Sequence, residues 1–430
     1  MRIITLLLSS VAFGMLAISP AAAEASAQTS APAPCNAQPA QATSPCNGQR
    51  PDVQNSQTQL NSSYSQFELE AGTITEASGA ATSSANVATV GVQGPRGAGV
   101  RSQQDAFGTT TARSTIEVGT ATGNVLNTST ATANGLTAGT QDGRMALDAT
   151  QVVHPGADVN STSYTNSRNV NGAANTAAAA GNVATLNAEN AGVDARIIQN
   201  AAANVRATAE ADHCCVRTVA TGTAVASANN ITVATRGAPS TVSTDQRSAA
   251  GEVVALVDLY AGYAGDIVGA ATANGNAVTV GGAFGALDMN ATQVNGSTVR
   301  ASSFVTVGGD VTGIASSNSY GVGNSAVGQN AGANGRFTTD QTNNGSVTSY
   351  TGVTSNGGVG AAGSSTAVGN MASGFVCTAC GDATLVANNR QVNNGAIVAA
   401  TGMSVNNAGT VIGSATAIGN SATYTIRNGH

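Results

Sequence analysis

The sequence predicts an all-β protein, an elongated β-solenoid or β-helix-like array of about eight 47-residue repeats. Three observations carry this: two side-chain landmarks recur at one period, apolar and polar residues alternate between them, and the apolar residues are small. Of 430 residues, 41% are apolar, mostly Ala and Val, 3% are aromatic and none is Trp. Such residues bury too little area each for a thick core, but they can fill a thin one that repeats. Length alone would suggest about three ordinary domains. Only 9% of residues are charged, all 16 basic residues are Arg and the net charge is −6. Highly charged disorder is therefore excluded, and the basic footprint of nucleic-acid binding is missing.

The chain opens with an export signal. Arg2 precedes an apolar stretch over residues 3–18, and Pro20-Ala21-Ala22-Ala23 supplies a small-residue cleavage site before Glu24. The apolar stretch is shorter than the ~20 residues that span a bilayer, so residues 1–23 are expected as a signal peptide and not as a retained anchor. Ala31-Pro32-Ala33-Pro34 ahead of Cys35 is a poor context for lipidation. Residues 24–52 form a Pro/Ala/Gln/Ser-rich linker, and residues 53–430 a repetitive β domain. Six of the nine prolines lie by position 51 and none follows Pro239. Because proline removes a donor from a β ladder, that distribution suits an extended entry followed by continuous strands.

The repeat shows first as Thr292-Gln293-Val294-Asn295-Gly296-Ser297, echoed around Gln341 and Gln391. Following the glutamine backwards gives Gln246, Gln199, Gln151, Gln104 and Gln57, in steps of 47 to 50 residues. A second series ends small-residue runs at Asn420, Asn370, Asn324, Asn276, Asn230 and Asn182, with weaker echoes at Asn134 and Asn86. Within each copy the reading is β. Val299, Ala301, Ser303, Val305 and Val307 fall on one strand face, as do Val253, Ala255, Val257, Leu259 and Ala261. Gly-Gly, Asn-Gly and Asn-Asn pairs between such runs supply turn residues. Glycine recurs too often for helices; the Ala-rich residues 173–180 are the one short exception conceded.

Stacked coils place like side chains above one another at ~4.8 Å, where amides can hydrogen-bond along the axis. The candidate ladder residues are Gln293, Gln341, Gln391, Asn324, Asn370 and Asn420. A 47-residue unit is long for one coil, so two coils of about 24 residues are favoured over one wide coil. That predicts about sixteen coils and a rise on the order of 75 Å.

Little in the sequence points to catalysis. Six cysteines in an exported chain suggest oxidation. Cys35 and Cys46 are expected to close a disulfide loop. Cys377-Thr378-Ala379-Cys380 is a CxxC whose flanks read as turn and strand, which favours a structural disulfide over a thiol redox site. Cys214-Cys215, after His213, lie more than three repeats from that motif, so a shared zinc site is rejected. Only His154, His213 and His430 are present, and nothing gathers them with Ser and Asp. Glu68 and Glu70 share a strand face and read as a solvated, pairing-resistant edge, not as a polysaccharide-cleaving acid pair. The regularly spaced Asp of calcium-binding β-rolls is absent. No enzyme activity, cofactor or metal is expected.

The export signal, the Pro-rich entry, the Gly-Asn runs around Asn324, Asn370 and Asn420 and the Gln-x-Asn turns around Gln293, Gln341 and Gln391 together resemble the holdfast anchor proteins of stalked bacteria, specifically the HfaD family. The resemblance covers most of the mature chain. It implies an exported protein, outer-membrane-associated or at the cell surface, that anchors an adhesive polysaccharide holdfast to the envelope. It also implies partner anchor proteins, one a curlin-like subunit and one a secretion lipoprotein, with no nucleic acid among the partners; single or self-associated bundled arrays both suit it. The alternative is a curlin-like amyloid or adhesin subunit of a biofilm matrix, although curlin repeats are about half as long. Residues 321–333 are also similar to the head repeats of trimeric autotransporter adhesins, whose membrane-anchoring barrel segment the ending Thr425-Ile426-Arg427-Asn428-Gly429-His430 does not resemble.

Overall fold

A computed structural model describes residues 52–249, 251–378 and 383–428. The expected signal peptide, almost all of the linker, Cys35, Cys46 and Cys380 lie outside the described residues. The repetitive unit consists of eight coils stacked in chain order. The first contains β1 (Asp52–Gln59), β2 (Ser63–Ile74) and β3 (Ala77–Gln93). The second contains β4 (Ala98–Ala106) and one long strand, β5 (Thr110–Gln141). The next three repeat that plan as β6 (Met145–Val153) with β7 (Val159–Ala191), β8 (Val193–Ala201) with β9 (Val205–Gly237), and β10 (Ser240–Ser248) with β11 (Glu252–Ala283). In the last three the long strand is divided: β12 (Leu287–Asn295), β13 (Thr298–Val307) and β14 (Ile314–Ala331); β15 (Gly335–Asn343), β16 (Val347–Ser355) and β17 (Gly358–Thr378); β18 (Leu385–Asn393), β19 (Ile397–Val405) and β20 (Ala408–Asn428).

Every coil pairs in parallel with the next. The short strands build an eight-stranded sheet in the order β1-β4-β6-β8-β10-β12-β15-β18, and the remaining strands a twelve-stranded sheet. The order follows the chain without crossover, so residues 52 and 428 belong to opposite ends of the stack. Pairing fixes the coil size: Gln57 lies opposite Gln104, Gln104 opposite Gln151, and Gln246 opposite Gln293. Each repeat is therefore one wide coil, which corrects the expected pair of 24-residue coils and halves the rise, to about 34 Å across eight strands. The half-period has no structural counterpart because the two halves of a coil face each other across the core; they do not stack.

Small side chains fit because the facing walls are close. In β11 the residues Val253, Ala255, Val257, Leu259 and Ala261 are fully buried, and in β13 so are Val299, Ala301, Val305 and Val307. Residues 173–180 are part of β7, not a helix. Ala177 and Ala179 belong to the core, where a helix could not follow the parallel register set by β5 and β9; tertiary pairing overrides alanine's helix preference. The three prolines within the described residues, Pro95, Pro155 and Pro239, sit in connections between strands.

In each of the first six coils one residue with a positive φ closes the far end of the long strand. The column reads Gly94, Asp142, Asn190, Gly237, Phe284 and Gly332. This is where the chain turns back toward the short sheet, and most occupants are the residues that tolerate the left-handed region. Phe284, at φ 60°, is the exception. On the outer face of the short sheet, Asp148 pairs with Arg196 at 3.2 Å and Arg101 at 3.9 Å. Such exposed pairs contribute little stability, but they match charge across three successive coils.

Candidate functional site

The inward alternation of the long strand reverses at the asparagine landmark. Residues 226–229 are buried in succession, so even-numbered residues point inward before Asn229 and odd-numbered ones after it. This corner divides the interior into two apolar cores. One lies between the first two legs of the long strand and includes Ala209, Val257 and Ala226. The other lies between the last leg and the short sheet and includes Leu186, Val233 and Ile197. Between them runs a wall of buried amides.

Each amide in the wall is held in two directions. Gln246 donates from Nε2 to Oε1 of Gln199 in the preceding coil at 2.9 Å, and across the coil to the carbonyl of Ala277 at 2.9 Å. Asn276 donates from Nδ2 to Oδ1 of Asn324 in the following coil at 2.8 Å, and across to the carbonyl of Val294 at 2.9 Å. The crossing bonds are reciprocal. Each glutamine reaches the carbonyl after an asparagine, and each asparagine reaches the carbonyl after a glutamine. Gln199, Gln246, Gln293, Gln341, Asn182, Asn229, Asn276, Asn324 and Asn370 are at most fractionally exposed, and an unpaired amide there would cost about 1–3 kcal/mol.

The sequence-derived ladder residues take these places. Gln293 donates to Gln246, Gln341 to Gln293 and Gln391 to Gln341, each at 2.7 Å. Asn324 donates to Asn370 at 2.8 Å and Asn370 to Asn420 at 2.7 Å. In the fourth coil the ladder residue is Asn229, bonded to Asn276 at 2.8 Å, one position before the sequence landmark Asn230. The adjacent-Asn ambiguity in Asn229-Asn230 hid this. The weak echoes Asn86 and Asn134 join the same ladder at 2.8 Å. Sequence reading missed a third, shorter ladder at the turn after the short strand, where Asn295 donates to Asn343 and Asn343 to Asn393 at 2.7 Å. Its signal was present in the Gln-x-Asn spelling of the repeat.

Other chemistry-bearing residues are dispersed. His213 is buried, 2.7 Å from Ser167 Oγ through Nδ1, and burial pulls its pKa down to about 4. His154 stacks on Phe107 with 3.7 Å between ring centroids and meets Asp105 at 3.1 Å. Cys214 and Cys215 turn their sulfurs to within 3.0 Å at the bend of β9. The neighbouring Cys214 sulfur, with burial second, pushes the Cys215 thiol upward. Cys377, next to last in β17, is free among the described residues. Glu68 and Glu70 lie on the outer face of β2, where Glu68 accepts a bond from Gln66 at 3.2 Å. In the same outward region, burial and then Asp212, Glu117 and Glu210 raise the Tyr164 pKa. Among the described residues no His, Cys, Asp or Glu group could hold a metal ion, and no helix is long and apolar enough to cross a membrane. A shallow groove of about 910 Å³ crosses four coils, floored by Gly91 and Gly139 and edged by Gln93, Gln141 and the Glu189–Arg236 pair.

The model of the family described as holdfast attachment protein D (HfaD) matches residues 95–346 of the chain. The match begins in the second coil and ends in the seventh. No curated protein and no solved structure matches.

Proposed function

Because the chain belongs to the HfaD family of holdfast attachment proteins, we propose that it is an exported cell-surface protein that anchors an adhesive polysaccharide to the cell envelope. The family match is the observation that carries this reading, and the architecture supports it. The unit enters the stack at one end and leaves at the other, as a tether between two materials requires. Two sheets and two amide ladders cross every coil boundary between them, so the tether cannot open at one boundary without breaking buried polar pairs. Its interior is filled by its own side chains, which leaves binding to the outer faces and the two ends. The proposed neighbours are a curlin-like subunit and a secretion lipoprotein, with the polysaccharide on the outer side. The role is structural and needs no cofactor.

Deleting the gene tests this. Cells should continue to make adhesive material and shed it from their surface. Normal adhesion by the deletion strain would overturn the anchor reading, and cleavage of the polysaccharide by the pure protein would replace it with an enzymatic one.

A further inference from the structure

The two main ladders run with opposite polarity. Every glutamine donates toward the start of the stack, as Gln104 does to Gln57 at 2.8 Å. Every asparagine donates toward its end, as Asn86 does to Asn134 at 2.8 Å. The two ends of the stack are therefore chemically different. At the last coil Gln391 gives its Nε2 to Gln341 and to the Ser421 carbonyl, and among the described residues nothing donates to its Oε1. Asn420 accepts from Asn370, and its Nδ2 has no acceptor among the described residues. At the first coil the situation is the mirror image. Among the described residues Gln57 uses one N–H on the Val87 carbonyl at 2.8 Å and its second N–H has no acceptor, and Oδ1 of Asn86 has no donor.

The missing groups also match by position. In each earlier coil the asparagine reaches the carbonyl that follows a glutamine in the next short strand, as Asn370 does to Val392 at 2.8 Å. After Asn420 the described residues contain no further short strand. β1 of another copy carries the required glutamine, Gln57, followed by Thr58. The apolar surfaces correspond as well. Ile397, Met403 and Val405 pack only partly buried against the core at one end, and Phe67 and Leu69 do so at the other.

We propose that the open end formed by β18, β19 and β20 receives β1, β2 and β3 of a second copy, so that both ladders and both sheets continue through the joint. Gln57 of the incoming copy donates to Gln391 Oε1, and Asn420 donates to Asn86 Oδ1 and the Thr58 carbonyl. The contact is head-to-tail, using different surfaces on the two molecules, and such contacts propagate unless they close into a ring. Unpaired strand edges are the elements that ordinarily must be covered. This inference stands on the ends of the stack and does not depend on what the outer surface binds.

The test uses the full mature chain. Ser65 and Ala399 occupy the same inward column at opposite ends of the stack. Ala399→Arg should block only the receiving end, and Ser65→Arg only the entering end. Light scattering should show the wild type as multiples of one chain whose mass rises with concentration. Each variant alone should lose every species above one chain. An equal mixture should give a two-chain species and stop there, because each variant keeps one working end. Hydrogen exchange on the wild type supplies a check without substitution: rising concentration should protect β1 and β20 and leave β9 unchanged. A wild type that stays a single chain at every concentration overturns the proposal. So does either variant assembling like the wild type, or a mixture that remains single chains.

Discussion

A Cβ placed on Gly275 would stand 2.6 Å from Oδ1 of Asn295, inside the third amide ladder. Gly323 has the same relation to Asn343, and Gly369 to Asn393. In the coil before this ladder begins the equivalent pair is Ala228 and Ser248. In these three coils an added Cβ would meet both the asparagine and the next coil's carbonyl, which for Gly275 is Gly323 O at 2.5 Å, so the asparagine adds to a crowding that favours glycine. Gly275→Ala should cost about 2 kcal/mol, and adding Asn295→Ser should recover about 1 kcal/mol of what the two changes cost separately. Denaturant melts of the four proteins check this; strict additivity would contradict it.

Removing one rung of the main ladder should act locally. Gln246→Leu leaves the Ala277 carbonyl, Gln199 Oε1 and a Gln293 N–H without their partners. The expected cost is about 3 kcal/mol. In a stack that contacts only its neighbours the damage should stay near the altered coil. Hydrogen exchange should rise between roughly Gln199 and Gln293 and remain low around Asn370. Uniform loss along the chain would show that the coils do not behave as separate units.

These ladders account for what could be read from the sequence. Gln246, Gln293 and Asn324 were legible because one side chain recurs at one register position, and only the full coil length brings it back. Alternation around Val257 and Val305 was legible for the same reason. The coil number was not, because both facing walls show the same small inward residues, so the sequence looks alike in its two halves. The division into two cores escaped because apolar residues on either side of Gln199, such as Ile197 and Ala201, differ in destination but not in pattern. The approach of Cys214 and Cys215 escaped because strict alternation sends neighbours to opposite faces, and the bend in β9 breaks it.

The positive-φ column offers a backbone test. Phe284 holds a conformation that Asn190 occupies in an earlier coil. Its ring lies 5.7 Å from the Arg236 guanidinium and is mostly exposed, so packing contributes modestly. Asn at this position should tolerate the left-handed region and a β-branched residue should not. Phe284→Val is expected to be about 1–2 kcal/mol less stable than Phe284→Asn, as thermal melts would show. Equal stabilities would mean that the turn relaxes.

His213 makes stability depend on pH. Unfolded, an imidazole takes up its proton below about 6.5; folded, burial delays this until about 4. Between these values the unfolded chain binds more protons, so acid favours unfolding there. Stability should fall as pH drops from 6.5 toward 4, by on the order of 3 kcal/mol from this residue, with no further loss from it below that range. His213→Gln should flatten the decline in denaturation midpoints. An unchanged slope would show that other groups dominate.

The width of the coil also sets how this chain must acquire its structure. Residues that meet across a coil boundary lie 46 to 50 positions apart, as Val253 and Val299 or Gln341 and Gln391 do, so no segment much shorter than a full coil contains its own pairing partner. Closing such a loop costs roughly 3 kcal/mol in chain entropy before any bond forms, and distant pairing is slow to nucleate. The first two coils should be the hardest step. After that, each new coil finds a finished edge as its template, and structure advances in increments of one full circuit. Because the stacking order equals the chain order, a chain appearing from its N-terminus delivers each increment beside the edge that needs it.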